Sequence, residues 1–404
     1  MNNKILVTGA SRRATLTITR SLGRKGLYVI VSDHQHLAAA FLSKYCKESF
    51  LYPAPHINMK GYLECLLGKV KENCVNAFFP VHDFELVPVS INLDKFLKYT
   101  TVPFPAYDTL FKTLDKSQTL QIAEKNNVPI PETYFIDDLN DLKRISKEIN
   151  YPAVIKPLSQ TIFSSDKVTT SHVTSKNYVH TPDQLIESYT NIHKITPYPL
   201  IQEYVDGYGA GVGVLFNNGS PRAAFAYRRL REYPITGGPS TLRESIRHPK
   251  MVEYAIRLLK AMNWHGVAMV EFKITDGNNP VLMEVNGRFW GSLALPYYAG
   301  MDFPYLLYKM AVDGDIKPQF DYKVGVKCRW LIPGDILHLL SAVRDPNHST
   351  HKAITDFIKF REKDLYYDFL SWDDPLPTVG AIITYLKYFG DFLRGKRSIA
   401  GEYR

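Results

Sequence analysis

Over the opening stretch of the chain the apolar positions come in short runs separated by one segment of helical spacing. Lys4–Thr8 is a strand-length apolar run, Gly9-Ala10-Ser11 a turn, Thr15–Lys25 a helix, and Leu27–Ser32 a second strand ending at Asp33, which together predict a βαβ unit. Asn76–Val81 reads as another buried strand, and His82-Asp83-Phe84-Glu85 follows it, polar groups at a carboxyl end where open α/β sheets place ligands. His82 and Asp83 therefore read either as substrate contacts or as loop caps. Pro103, Pro105, Pro129, Pro131 and Pro152 punctuate the next stretch and bracket helices around Lys116–Asn127 and Leu139–Ile149. Strands then return at Ala153–Lys156, Leu200–Val205, Gly211–Phe216, Arg222–Tyr227, Val267–Ile274 and Val281–Asn286. A helix at Met251–Met262 interrupts them, with Val252, Ala255, Ile256 and Leu259 on one face. The pattern is α/β followed by α+β with mostly antiparallel strands, then a mixed extension over residues 319–404 rich in Tyr, Leu and Lys/Arg.

Composition narrows this picture. The 404 residues are 45% hydrophobic and 22% charged, an ordinary globular balance, and no apolar run approaches the roughly 18 residues of a spanning helix. The N-terminus breaks after Ile5-Leu6-Val7 instead of building a secretory h-region, so a cytoplasmic location is expected. Cys46, Cys65, Cys74 and Cys328 lie far apart with no C-x-x-C pair, which reads as free thiols and not as a zinc module or disulfide framework. The net charge of +9 fits attraction to a nucleotide, a phosphorylated metabolite, a polyanion or an acidic membrane, and selects none of them. Gly9, Ser11 and Ala14 occupy the three positions of a G-x-G-x-x-G fingerprint, which leaves a single glycine. Asp33 then reads either as a ribose ligand or as a capping residue.

The residues that carry chemistry concentrate in the hairpin Val267–Ile274/Val281–Asn286. Strand alternation sends Glu284 and Asn286 to one face with Leu282, and Val281, Met283 and Val285 to the other. Glu271 interrupts an apolar run on the partner strand, so two carboxylates are expected side by side, an arrangement that favours a hard cation between them. Lys116 at a helix start and Lys156 at a strand end offer complementary charge. The connection Ser159–Thr170 is Ser/Thr-rich but lacks glycine, a weak phosphate flap, while Gln202-Glu203-Tyr204-Val205 offers backbone groups in an apolar slot for an adenine edge. Between Tyr227 and Arg243 a cluster including Arg231, Gly237-Gly238 and Arg243 suits bidentate capture of carboxylate or phosphate. One short basic cluster does not make a nucleic-acid surface, so no nucleic acid is expected. Ser292 reads as a cap, and no nucleophilic triad is visible. The apolar segment Val379–Phe389, followed by Arg394-Gly395-Lys396-Arg397, reads first as a packing helix with a basic end and second as a segment resting on an acidic membrane or a partner subunit.

In order and rough spacing, Lys116, Lys156-Pro157, Gln202-Glu203-Tyr204-Val205, Glu271 and Glu284-x-Asn286-x-Arg288 resemble the ATP-grasp superfamily, in its carboxylate–amine ligase branch with biotin carboxylase and the carbamoyl-phosphate synthetase large subunit. The resemblance covers roughly residues 1–315. It implies a Rossmann-like pre-ATP-grasp domain over 1–105, an ATP-grasp domain over 106–318 with a lid near 115–205, and a C-terminal extension over 319–404. It implies ATP and Mg²⁺ or Mn²⁺ as cofactors, with Lys116 and Lys156 on the α- and β-phosphates, and Gln202, Glu203, Tyr204 and Val205 around adenine. Glu271, Glu284 and Asn286 would hold the metal, Arg288 would face the transferred phosphoryl group, and Arg231 and Arg243 would position the substrate acid. The activity implied is joining a small carboxylate to an amine through an acyl phosphate. A regulatory, kinase-like or carbamoyl-phosphate-type protein is the alternative, and a homo-oligomer is left open.

Overall fold

A computed structural model of the protein describes residues 3–159, 161–163, 168–170, 173–235 and 237–394. The chain divides into two units that are not consecutive lengths of sequence. One holds residues 1–104, 222–247 and 288–404, and the other holds 105–221 and 248–287. Residues 319–404, expected as a separate extension, thus fall in the same unit as the N-terminus.

The first unit begins as the apolar runs predict. Strands β1 (Lys4–Thr8), β2 (Tyr28–Asp33), β3 (Cys46–Leu51) and β4 (Ala77–Phe79) form a parallel sheet in the order β3-β2-β1-β4. Both faces of β1 and β2 are covered, which is why they read as continuous apolar runs. Helix α1 (Arg13–Arg24) connects β1 to β2, and α2 (Asp83–Ile91) follows β4. The order reverses between β1 and β4, so the loops after Thr8 and Phe79 flank the switch point where open sheets bind ligands.

In the second unit α3 (Tyr107–Leu114) leads into α4 (Lys116–Lys125), whose N-cap Asp115 accepts hydrogen bonds from the Ser117 and Gln118 amides. Strands β5 (Thr133–Tyr134) and β6 (Ala153–Lys156) come next, then a small hairpin, β7 (Thr161–Phe163) and β8 (Val168–Thr170). With β9 (Tyr178–Val179) and β10 (Leu200–Glu203), β5 and β6 complete a four-stranded sheet ordered β5-β10-β6-β9. Its core packs Ile136, Leu142, Ile145, Ile155, Leu185 and Ile201. After β11 (Tyr208–Asn217), strands β12 (Ser220–Glu232) and β13 (Ser240–Ser245) carry the chain through the first unit. It returns with α5 (Pro249–Ala261) and the hairpin β14 (Gly266–Ile274)/β15 (Pro280–Asn286), with β14 paired antiparallel to β11 along its whole length.

In the first unit β13 pairs with β12 and with β16 (Lys327–Arg329), which in turn pairs in parallel with β17 (Leu365–Tyr367). The last described element is α6 (Leu376–Leu393). Ion pairs hold these C-terminal segments to α1. Asp374 accepts from Arg20 Nε at 2.9 Å, and Asp368 from Arg13 Nη1 at 2.7 Å. No helix among the described residues is long and apolar enough to cross a membrane.

Candidate active site

The β14/β15 hairpin aligns the expected carboxylates. Glu271 pairs in register with Glu284, and Met269 with Asn286, which sets both acids and the amide on one stretch of ladder. A register shift falls between Glu271 and Phe272, so Phe272 faces Leu282 and Met283 is the extra residue of a bulge. This corrects the simple alternation. Leu282 and Val285 are buried, whereas Met283, Glu284 and Asn286 are half-buried, because the bulge shifts the phase of the strand by one residue. Asn286 Nδ2 donates to Glu271 Oε1 at 3.2 Å and to Glu284 Oε1 at 3.4 Å, bridging the two acids. Gly287 follows because nothing larger fits: a Cβ there would lie 2.5 Å from Thr113 Oγ1 and 2.6 Å from the indole of buried Trp264.

Positive charge converges on the same place. Lys116 Nζ lies 3.9 Å from Glu284 Oε2, and the Lys116 amide donates to the Leu158 carbonyl at 2.9 Å, which ties the start of α4 to the turn after Lys156. Burial, and then the Lys116 charge, bring the Lys156 pKa down to about 8, with Glu284 pulling the other way and Lys273 adding to the depression. Lys273 adds a third ammonium group. It sits two residues beyond Glu271 on β14, and its Nζ donates to the Gly207 carbonyl at 2.8 Å. Three ammonium groups around two carboxylates make a locus suited to a polyphosphate with a divalent cation.

Gln202 and Glu203 end β10, which pairs with β6 so that Glu203 faces Ala153 while Lys156 faces Leu200. Gln202 is buried, its Nε2 donating to Thr133 Oγ1 at 2.9 Å while its Oε1 has no hydrogen-bond partner. The Glu203 side chain accepts from the Glu132 amide at 3.0 Å, and the Tyr204 amide donates to the Pro152 carbonyl at 3.0 Å. These bonds fix the strand end at which Val205 emerges. Of the weak flap Ser159–Thr170, residues 160 and 164–167 lie outside the described residues.

The remaining expected residues lie in the other unit. Arg288 Nε donates to Asp83 Oδ2 at 3.1 Å and its Nη1 to the Phe289 carbonyl at 2.9 Å, so Asp83 orients an arginine in addition to starting α2. Arg243 is wholly buried and donates to Asp368 through both terminal nitrogens, and Cys328 donates to the same carboxylate at 3.3 Å. Arg231 pairs at 3.0 Å with buried Asp335, which also takes Arg329 and accepts from Thr241 Oγ1 at 2.9 Å. Their pairing makes Arg231 and Arg243 ties between β12, β13, β16 and the C-terminal segments.

At the switch point Asp33 accepts from the Ser11 and Gln35 amides at 2.7 and 2.9 Å, which uses it as a cap of its own loop. Beneath that loop lies Glu85, which the sequence places at a strand's carboxyl end without marking it. It is almost fully buried and accepts from Tyr52 Oη at 3.1 Å. Burial raises its carboxyl to about 7, opposed by the exposed Arg12.

A hairpin carrying Glu, Glu and Asn, one lysine at the end of β6, another at the start of α4, and the strand end of β10 follow one another in an order that resembles the ATP-grasp superfamily. Residues 196–331 match the family model described as ATP-grasp in the biosynthetic pathway with Ter operon. The chain is 24% identical to the phosphoribosylamine–glycine ligase of Pyrococcus horikoshii over 50% of this chain and 50% of that enzyme, so it spans about half the length of that relative. The fold is similar to that of biotin carboxylase from Campylobacter jejuni, with a TM-score of 0.63 and 17% identity over 80% of this chain and 74% of that one. It is also similar to the L-amino acid ligase from Bacillus licheniformis, with a TM-score of 0.59 and 15% identity over 78% of each chain.

Proposed function

We propose that the chain is an ATP- and Mg²⁺-dependent ligase that joins a small carboxylic acid to an amine through an acyl phosphate, releasing ADP and phosphate. The observation that carries this is Lys116, Lys156 and Lys273 gathered against Glu271 and Glu284, with Asn286 bridging the two acids. The donor set fits a hard cation: two carboxylates and an amide on paired strands, with phosphate oxygens and water to complete the shell. Bound there, Mg²⁺ would neutralise phosphate charge and polarise the γ-phosphoryl group. Lys116 and Lys156 hold the α- and β-phosphates, and the Glu203 carbonyl and Val205 amide take the adenine edge. Glu203 and Lys156 lie three residues apart along the β6/β10 ladder, about 10 Å, which suits the span of a nucleoside and its first phosphates.

Arg288, held by Asp83, stabilises charge as it grows on the transferred phosphoryl group. A substrate carboxylate oxygen attacks the γ-phosphorus and ADP leaves with the electron pair of the broken P–O bond. The amine nitrogen then attacks the acyl carbon and phosphate departs. Alignment and charge neutralisation supply most of the rate enhancement. Glu284→Gln tests the assignment, because it keeps shape and fold while removing the charge opposite Lys116. Turnover of ATP is expected to disappear with the circular-dichroism melt unchanged, and retained turnover would remove the hairpin from the mechanism.

A further inference from the structure

Helix α6 is turned inside out relative to an ordinary surface helix. Its small residues Pro377, Gly380 and Ala381 are buried, and Gly380 rests so closely on the 3₁₀ turn at Ala39–Leu42 that a Cβ would lie 2.6 Å from Leu42 Cδ1. Its large apolar side chains face out. Leu376, Val379, Ile383 and Leu386 recur at steps of three and four residues along an 18-residue helix, and Leu386 is 66% exposed. Phe389 extends the stripe, and Trp372, just before the helix, is fully exposed at 101%. A continuous apolar stripe about 20 Å long exceeds the scattered apolar surface of an ordinary soluble protein.

The charges around the stripe point to what covers it. Lys44 is exposed beside the start of α6, its amide donating to Asp374 Oδ1 at 2.9 Å, and Lys387 and Arg394 are exposed at the far end. The sequence continues Gly395-Lys396-Arg397. The acids at the helix entry are already engaged: Asp373 by Arg24 and Tyr45, Asp374 by Arg20 and Ser43. Asp391 is the single acid within the helix sequence. An apolar stripe with a leading tryptophan and basic flanks has the makeup of a helix lying in a membrane interface, and a second copy of the chain would instead set like charges against one another.

We propose that the outward face of α6 docks the protein on an anionic lipid surface, with the helix in the plane of the interface and Trp372 at headgroup depth. The test is co-sedimentation of the full chain with phosphatidylcholine vesicles, with and without phosphatidylglycerol. Binding is expected only with phosphatidylglycerol and is expected to weaken as salt is raised. Each basic side chain near an anionic surface multiplies binding about fivefold, so Lys387→Ala with Arg394→Ala should lower it about 25-fold. Ile383→Glu with Leu386→Glu should abolish it and, both positions being exposed, should leave the thermal melt unchanged. Wild-type protein that stays in the supernatant with both vesicles overturns the proposal, as does equal binding by the glutamate variant. A dimer in sedimentation equilibrium that this variant dissociates, with no vesicle binding, would assign the face to a second copy instead.

Discussion

Lys156 gives the phosphate site a pH dependence that can be worked out beforehand. Burial and the neighbouring Lys116 charge put its pKa at about 8 in the ligand-free protein. At pH 7 about nine-tenths of the molecules carry the charge, and at pH 9 about one-tenth do. Phosphate oxygens bound against the ammonium return it to the ordinary lysine range of about 10.4, so MgATP binding takes up a proton once the pH passes 8. The affinity should therefore fall about tenfold between pH 7 and 9, or about 1.4 kcal/mol. Isothermal titration calorimetry with MgATP in buffers of different ionisation heat reads both the dissociation constant and the proton uptake. Lys156→Arg should bind with little dependence on pH, because a guanidinium stays charged throughout. The same depression makes the ligand-free protein more stable as pH rises from about 8 to 10.4, since the unfolded chain binds more protons there. A pH-independent affinity in the wild type, or the same tenfold fall in Lys156→Arg, would refute the reasoning.

Other consequences follow from buried groups. The folded-state pKa of Glu85, about 7, lies above that of the unfolded chain, so its contribution to stability is present below about pH 4.3 and lost as pH rises through 7. Glu85→Gln should thus stabilise the protein at pH 8 by about 3 kcal/mol and at pH 5 by only about 1 kcal/mol, as read by urea titration. Arg243→Ala leaves Asp368 in the core with Arg13 as its remaining arginine partner, and should lower stability by about 3 kcal/mol in denaturant titration while MgATP affinity is unchanged. A loss of affinity with no loss of stability would return Arg243 to the ligand site. Gly287→Ala forces a Cβ against Thr113 and Trp264 and should lower the melting midpoint, by an amount corresponding to about 1–3 kcal/mol.

Glu271, Glu284 and Asn286 were legible because acids that break an apolar strand run have few other reasons to be there, and period-two spacing fixes their face. The bulge at Met283 was not, since one extra residue leaves no mark on hydrophobicity. Lys273 could have been found by the same spacing, two residues from Glu271 on one strand. Arg231 and Arg243 looked like anion grips beside Gly237-Gly238, and only the fold brings up Asp335 and Asp368 from about a hundred residues downstream to neutralise them. β13 was missed because Ser-Thr-Leu-Arg-Glu-Ser has no apolar alternation, its buried arginine being made tolerable by a distant partner. The tail showed its apolar and basic composition but not which way α6 faces, because that depends on Gly380 and Ala381 meeting the Ala39–Leu42 turn.

The central claim is tested most directly by following ADP and phosphate release from MgATP across a panel of amino acids and other small carboxylates, each with and without an amine. The ligase reading predicts stoichiometric release of both products only when an acid and an amine are present together. ATP that binds and stays intact with every pair, or is cleaved at the same rate with neither present, would contradict it.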